Sequence, residues 1–290
     1  MILAITDRLA SILTAYSPTD PHPTADSLRD LWLQGKTKSI ADSKADQRAQ
    51  QETIGVAVSL LKEIGQEIGK VARKRVDDFI PLARLLWNEH GREGRLVSVN
   101  LLGPMELAAP EKIVPLVLEL CRTCLTWEDA DQLAMNALEP IVRRKPGQWL
   151  SALEGWLADN NKWVRRAGVT VIGRLPMKDA AYATRCLALT ARLLPDEEQD
   201  VKRAVSFAIR ITARGDIAPV RDFLARYVPP ENPAATWVLC DAIRSMTKQF
   251  LPQFASLLPK YEQWLADPGV SGQDRRSVES AVKILQEAKE

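Results

Sequence analysis

Histidine is nearly missing from this chain of 290 residues, which has only His22 and His90. That leaves little from which to build a Ser-His-Asp triad. No Gly-rich phosphate loop or metalloprotease motif takes its place, so the common hydrolase and nucleotide-binding readings lose support. The four cysteines, Cys121, Cys124, Cys186 and Cys240, are too few and too scattered for a disulfide framework. Cys121 and Cys124 have redox or zinc spacing, but no second pair follows and no strand precedes them, so buried helical thiols are expected and no metal. No secretory leader is seen, which favours a reducing cytoplasm. The apolar start from Met1 to Ile5 is broken by Asp7 and Arg8, and no uncharged run approaches the roughly 20 residues of a membrane span. Net charge is only +2, so no overall polybasic attraction to nucleic acid follows from composition.

What is present is an ordinary globular composition, 46% apolar and 26% charged, on a chain long enough to bury a core without staples. β-Branched residues are interspersed with Ala, Leu, Glu, Arg and Lys at helical spacing, and Asn-Gly or Asp-Gly turns are missing. An all-α chain is predicted. Five apolar clusters recur, beginning at Val97, Ala134, Gly168, Val205 and Cys240, with separations of 37, 34, 37 and 35 residues. That period is near the range of two-helix solenoid repeats of the HEAT and armadillo kind, whose hairpins cover their apolar sides only by stacking. The echo of Val164-Arg165-Arg166-Ala167 in Val201-Lys202-Arg203-Ala204 repeats the cations as well as the core.

Prolines 104, 110, 140, 146, 176, 195, 219, 229 and 230 are placed at helix ends or first turns, where a missing amide donor is tolerated. Asp159-Asn160-Asn161 and Asp196 to Asp200 read as turns that open second helices. The whole chain reads as one domain. Residues 1–52 form a divergent extension, a helix followed by a mobile connection through the polar stretch Gln34 to Gln50, and residues 53–290 form the repeats. Periodicity resumes at about Thr53, and Ser277 to Lys289 makes a polar-faced capping helix.

Thr126 followed by Asp129 is a capping-box-like start that places Trp127 in a first helical turn, with Asp131 four residues on along the same face. An indole beside a carboxylate can meet a cation with both the ring face and a full charge, and cleavage of an N-glycosidic bond develops such a cation on deoxyribose. A carboxylate at about 4 Å in an effective dielectric of ~20 is worth roughly 4 kcal/mol, about a thousandfold in rate. The alternative is that Trp127 packs in the core while Glu128, Asp129 and Asp131 complement a helix N-terminus. Burial of Trp127 goes with that alternative.

Cations gather locally. From Arg143 to Arg174 there are seven (Arg143, Arg144, Lys145, Lys162, Arg165, Arg166, Arg174) against Glu154 and Asp159, and from Val201 to Arg214 there are Lys202, Arg203, Arg210 and Arg214 with no acid. This stripe reads either as a phosphate-binding surface or as a solvated helix face. Arg165 has the slot of a structural rung to a neighbouring repeat. Arg166, next round the helix, is the one expected to reach a phosphate, with Lys162, Lys202, Arg203 and Arg210 beside it.

Three segments, Arg84-Leu85-Leu86-Trp87 with Arg92-Glu93, Trp127-Glu128-Asp129-Ala130-Asp131, and Trp156 with Asn160 to Ala167, resemble the DNA alkylation repair proteins of AlkD type, from about Ile68 to Arg214. The resemblance implies a right-handed solenoid of HEAT-like hairpins with a concave basic groove. It also implies duplex DNA as substrate and release of N3- or N7-alkylated purines without flipping the base; a monomer that needs no cofactor is expected. By position, Trp127 would press on the lesion's deoxyribose, Asp131 would stabilise the sugar cation and orient water, and Arg166 would hold the phosphate. Two positions depart from the family pattern. Phe207 stands where active members carry a second tryptophan, and Gly94 stands where a bulky aromatic commonly follows the Arg-Glu pair. Two functions stay open, a glycosylase and a non-catalytic module that binds DNA or protein along the same groove.

Overall fold

The computed structural model describes residues 2–34 and 53–289. The backbone among them is helical, with turns and an isolated antiparallel bridge between Ser17 and Asp20, and it contains no strand. From position 35 on, the polar stretch read as a connection lies outside the described residues. Packing divides the chain into two compact units, residues 1–141 and 142–290.

The first unit runs through α1 (Ile2–Thr14), α2 (His22–Leu33), α3 (Val58–Ala72), α4 (Val76–Glu89), α5 (Gly91–Glu106), α6 (Pro110–Cys121) and α7 (Trp127–Leu133). A π-helical turn, Ala134–Leu138, then leads into α8 (Glu139–Arg144). The N-terminal extension therefore holds two helices before position 35, where the sequence suggested one. In the second unit follow α9 (Pro146–Trp156), α10 (Lys162–Arg174), α11 (Ala183–Ala191), α12 (Gln199–Thr212), α13 (Ile217–Tyr227), α14 (Thr236–Arg244), a 3-10 stretch (Lys248–Leu257), α15 (Leu258–Ala266) and α16 (Gly272–Glu287).

The five apolar clusters fall in order on α5, the π turn, α10, α12 and α14. These helices are covered on more than one side, since α5 packs on both α3 and α4, and α12 packs on both α10 and α14. This explains why the clusters are continuous and not striped: Val97, Ser98, Val99, Asn100 and Leu101 are all 5% exposed or less. Each fully buried aliphatic side chain of this kind contributes roughly 1.5–3 kcal/mol. Close approach is written into small residues. A Cβ on Gly65 or Gly69 of α3 would stand 2.6 or 2.7 Å from the carbonyl oxygens of Val97 or Leu101, so α3 lies directly on the α5 backbone.

The repeat period is also visible in the bonds between successive hairpins. Arg84 grips Glu119, Lys112 grips Asp77 and Ser206 Oγ donates to Asp241, each across 35 residues, while Trp87 Nε1 donates to Thr123 Oγ1 across 36. One repeat of sequence thus separates groups that are neighbours in space, as stacked hairpins require.

Helix starts follow the local signals. Asn161 Oδ1 accepts from the Trp163 N–H at 2.8 Å to open α10. Before α12, Asp196 Oδ1 accepts from the Glu198 N–H at 2.9 Å. Pro110 and Pro146 occupy first turns, but Pro104, expected at a helix end, sits inside α5, as Pro81 and Pro115 sit inside α4 and α6.

Candidate functional site

The segment from Leu125 to Asp131 is held by its own capping chemistry. Thr126 Oγ1 accepts from the Asp129 N–H at 3.3 Å, and Asp129 Oδ2 accepts in return from the N–H groups of Thr126 at 3.1 Å and Leu125 at 2.9 Å. The reciprocal box satisfies donors that a helix start otherwise leaves to water. It sets Trp127 as the first residue of α7, where the ring is 51% exposed, and Asp131 one turn later, partly exposed. Trp127 is therefore not a core tryptophan. The π turn begins three residues after Asp131; such turns recur at functional sites because they rotate the side chains beyond them out of register.

The acids around Trp127 divide by environment. Asp129 is 4% exposed and receives Arg95 Nη1 at 2.9 Å. Glu128 is paired with Arg92 through two parallel bonds of 2.8 and 2.9 Å, the bidentate geometry in which arginine holds a carboxylate best. Arg95 also donates to the Thr123 carbonyl at 3.1 Å and lies with its guanidinium 4.6 Å from the centre of the Trp87 ring. Neither Arg95 nor the role of Asp129 as its partner emerges from the sequence reading. The available signal is a cation two positions ahead of the Val97 cluster, where an apolar residue or a solvated face would be ordinary.

The second half of the Arg-Glu pair has a different task. Glu93 is fully buried, and its Oε1 accepts from the N–H groups of Ile54, Gly55 and Val56 at 3.0, 2.9 and 3.4 Å, fastening the backbone ahead of α3. Gly94 is explained by space. A Cβ there would meet the Leu86 carbonyl oxygen at 2.3 Å and His90 Cβ at 2.4 Å, so no side chain has room at this position. The two histidines, far apart in sequence, line one polar cavity of about 210 Å³ with Asp26, Arg29, Glu89 and Glu93. No group of three or more His, Cys, Asp or Glu among the described residues is placed to hold a metal ion.

In the second unit the cations of α10 and α12 have separate fates. Arg165 is the rung its slot suggested: it meets Asp196 through Nε at 2.6 Å and Nη2 at 3.2 Å, and its Nη1 donates to the Asp159 and Asn160 carbonyls. Lys162 is paired with Asp200 at 2.9 Å, which raises its pKa, and it lies 4.5 Å from the centre of the Trp163 ring. Arg166 is 7% exposed and donates to the Asp200 carbonyl, so the arginine expected to be freer is the more deeply set of the two. Burial lowers the pKa of Arg210, which donates to the Ser245 carbonyl at 3.2 Å and lies 5.8 Å from the Phe207 ring. Phe207 is half-buried. Lys202 is partly exposed and Arg203 exposed, with no ion pair for either among the described residues. All four cysteines are free and buried, and desolvation pushes Cys186 and Cys240 up to about 12 and Cys124 well above its ordinary value.

Comparison with known proteins bears on this geometry. The family model described as DNA alkylation repair enzyme matches residues 28–246. Among solved structures, smu.31 from Streptococcus mutans UA159 is 17% identical, with a TM-score of 0.52 over 66% of this chain and 98% of that one, a likeness of fold. A designed armadillo repeat protein is 15% identical over 79% of this chain and 98% of that one, but its TM-score of 0.33 is too low to add to the fold. No curated protein matches the chain.

Proposed function

The chain belongs to the family of DNA alkylation repair enzymes, and from that premise we propose that it is a DNA glycosylase releasing cationic N3- and N7-alkylpurines from duplex DNA. The observation that carries the reading is the pairing of a half-exposed Trp127 with Asp131 one helical turn away on α7. An N7- or N3-alkylated purine bears a positive charge and leaves as a neutral base. The C1′–N bond breaks with its electron pair on the purine and positive charge is left on the deoxyribose. The indole face and the Asp131 carboxylate stabilise that charge. Water then adds to C1′ and gives up a proton to the carboxylate or to solvent. The base need not be extruded, because the reacting centre is on the sugar. Duplex contacts fall first to Lys202 and Arg203, whose charges are not committed to ion pairs, and Phe207 offers a π face without an indole N–H.

The test is release of free 7-methylguanine from methylated duplex DNA by the purified protein, beside Asp131→Asn and Trp127→Ala. Release that collapses in both variants sustains the reading. Duplex binding with no release above the spontaneous rate would sink it and leave a non-catalytic DNA-binding module.

A further inference from the structure

Resting on that reading, we propose that Arg95 and Asp129 are positioning residues, a buried clamp that fixes the backbone from Leu125 to Asp129 and thereby aims the Trp127 ring.

Trp127 occupies the first position of α7, a helix start whose own capping box is backed by a second hold from outside the helix. Here α5 supplies the hold. Arg92 and Arg95, one turn apart, grip Glu128 and Asp129, the two residues directly after the tryptophan. The inner grip is the more constrained. Asp129 Oδ2 receives Arg95 and two backbone N–H groups, so one carboxylate oxygen ties α5 to the cap. Arg95 cannot swing away, because it rests on Trp87, itself 1% exposed and bonded to Thr123 at 2.9 Å.

Stability alone does not account for this pair. At 9% and 4% side-chain exposure, both charges are removed from water, and well-packed apolar residues of similar volume commonly serve stability as well or better. What this ion pair adds is direction: its hydrogen bonds join the Arg95 guanidinium to the Leu125 and Thr126 backbone through one carboxylate oxygen. A ring that must meet a developing sugar cation needs that direction, since displacement by about 1 Å from a productive arrangement costs about a hundredfold.

The experiment uses the full chain carrying 5-fluorotryptophan, with the Trp127 resonance identified by Trp127→Phe. Arg95→Met and Asp129→Asn are compared with wild type for three quantities: single-turnover 7-methylguanine release per folded molecule, affinity for an intact duplex, and the fluorine spectrum. Release at least tenfold slower, duplex affinity within twofold, and a shifted or broadened Trp127 resonance are expected. Arg95→Lys, which keeps charge but loses the planar stack, should lie between and stands in if Arg95→Met does not fold. An unmoved Trp127 resonance overturns the proposal, as does an undiminished rate in an active wild type. If the wild type releases no base, the glycosylase reading falls by itself, and the fluorine spectrum alone decides the clamp.

Discussion

The start of α7 and the cation-rich helices α10 and α12 both place charged residues within a turn or two of an aromatic, yet they use charge in opposite ways. At α7 the acids nearest Trp127 are drawn inward: Asp129 and Glu128 are taken by arginines of α5, while Asp131 stays partly exposed on the ring's own face. On α10 the cations themselves are drawn inward. Lys162, Arg165 and Arg166 are bonded to residues 196–200 of the next repeat, and Lys202 and Arg203 have no ion pair among the described residues. The difference teaches that a run of like charge in sequence does not measure the charge a surface presents. Several charges of one hairpin meet complementary ones on the next, as Arg84 meets Glu119 and Lys162 meets Asp200, and on α12 Lys202 and Arg203 are left without an ion pair among the described residues.

The largest effect is expected at Asp131. Asp131→Asn should slow purine release about a thousandfold, the worth of a full charge at about 4 Å in a dielectric of ~20. Trp127→Ala should cost roughly ten- to thirtyfold, corresponding to the loss of about 1–2 kcal/mol of cation–π attraction.

Arg165→Ala tests the other side. Asp196 is 6% exposed and would be left without its guanidinium, a loss of about 2 kcal/mol after discounting for the partial exposure of the arginine. Chemical denaturation should register it while duplex affinity stays within twofold. Lys202→Ala and Arg203→Ala should do the reverse, leaving stability alone and reducing the salt dependence of duplex binding by about one unit of slope each. If Arg165→Ala weakens binding as much as Arg203→Ala does, the division between rung and free cation fails. A smaller effect is expected from Phe207→Trp, a gain in release of roughly threefold for under 1 kcal/mol of added ring contact. Smallest is the response of the thiols: a disulfide reagent at neutral pH should titrate no cysteine in the folded protein and four after denaturation.

Much of the scaffold was legible in the chain. The cluster spacing predicted stacked hairpins because an apolar cluster marks a helix covered on several sides, and such helices recur once per repeat. Thr126 and Asp129 announced the cap of α7, and Asn161 that of α10, since capping is chemistry between residues two or three apart. The rung role of Arg165 was readable from its slot. The deep placement of Arg166 was not, because its partner is a backbone carbonyl at Asp200, and carbonyls carry no sequence signature. Gly94 read as an oddity until the Leu86 carbonyl beside it showed that a side chain has no room there. The Arg95–Asp129 bridge was hidden for a similar reason: its two residues lie in different hairpins, and each alone resembles an ordinary surface charge.

The order of elements, the helix starts, the repeat length and the candidate pair on α7 were therefore set by local sequence, where propensity, capping and apolar period act over a few residues. Whether a charge faces water, a neighbouring repeat or a buried clamp was decided only by the packing of hairpins. That packing places groups some 35 residues apart within hydrogen-bond distance and makes the cost of an unpartnered buried charge the term that chooses among them.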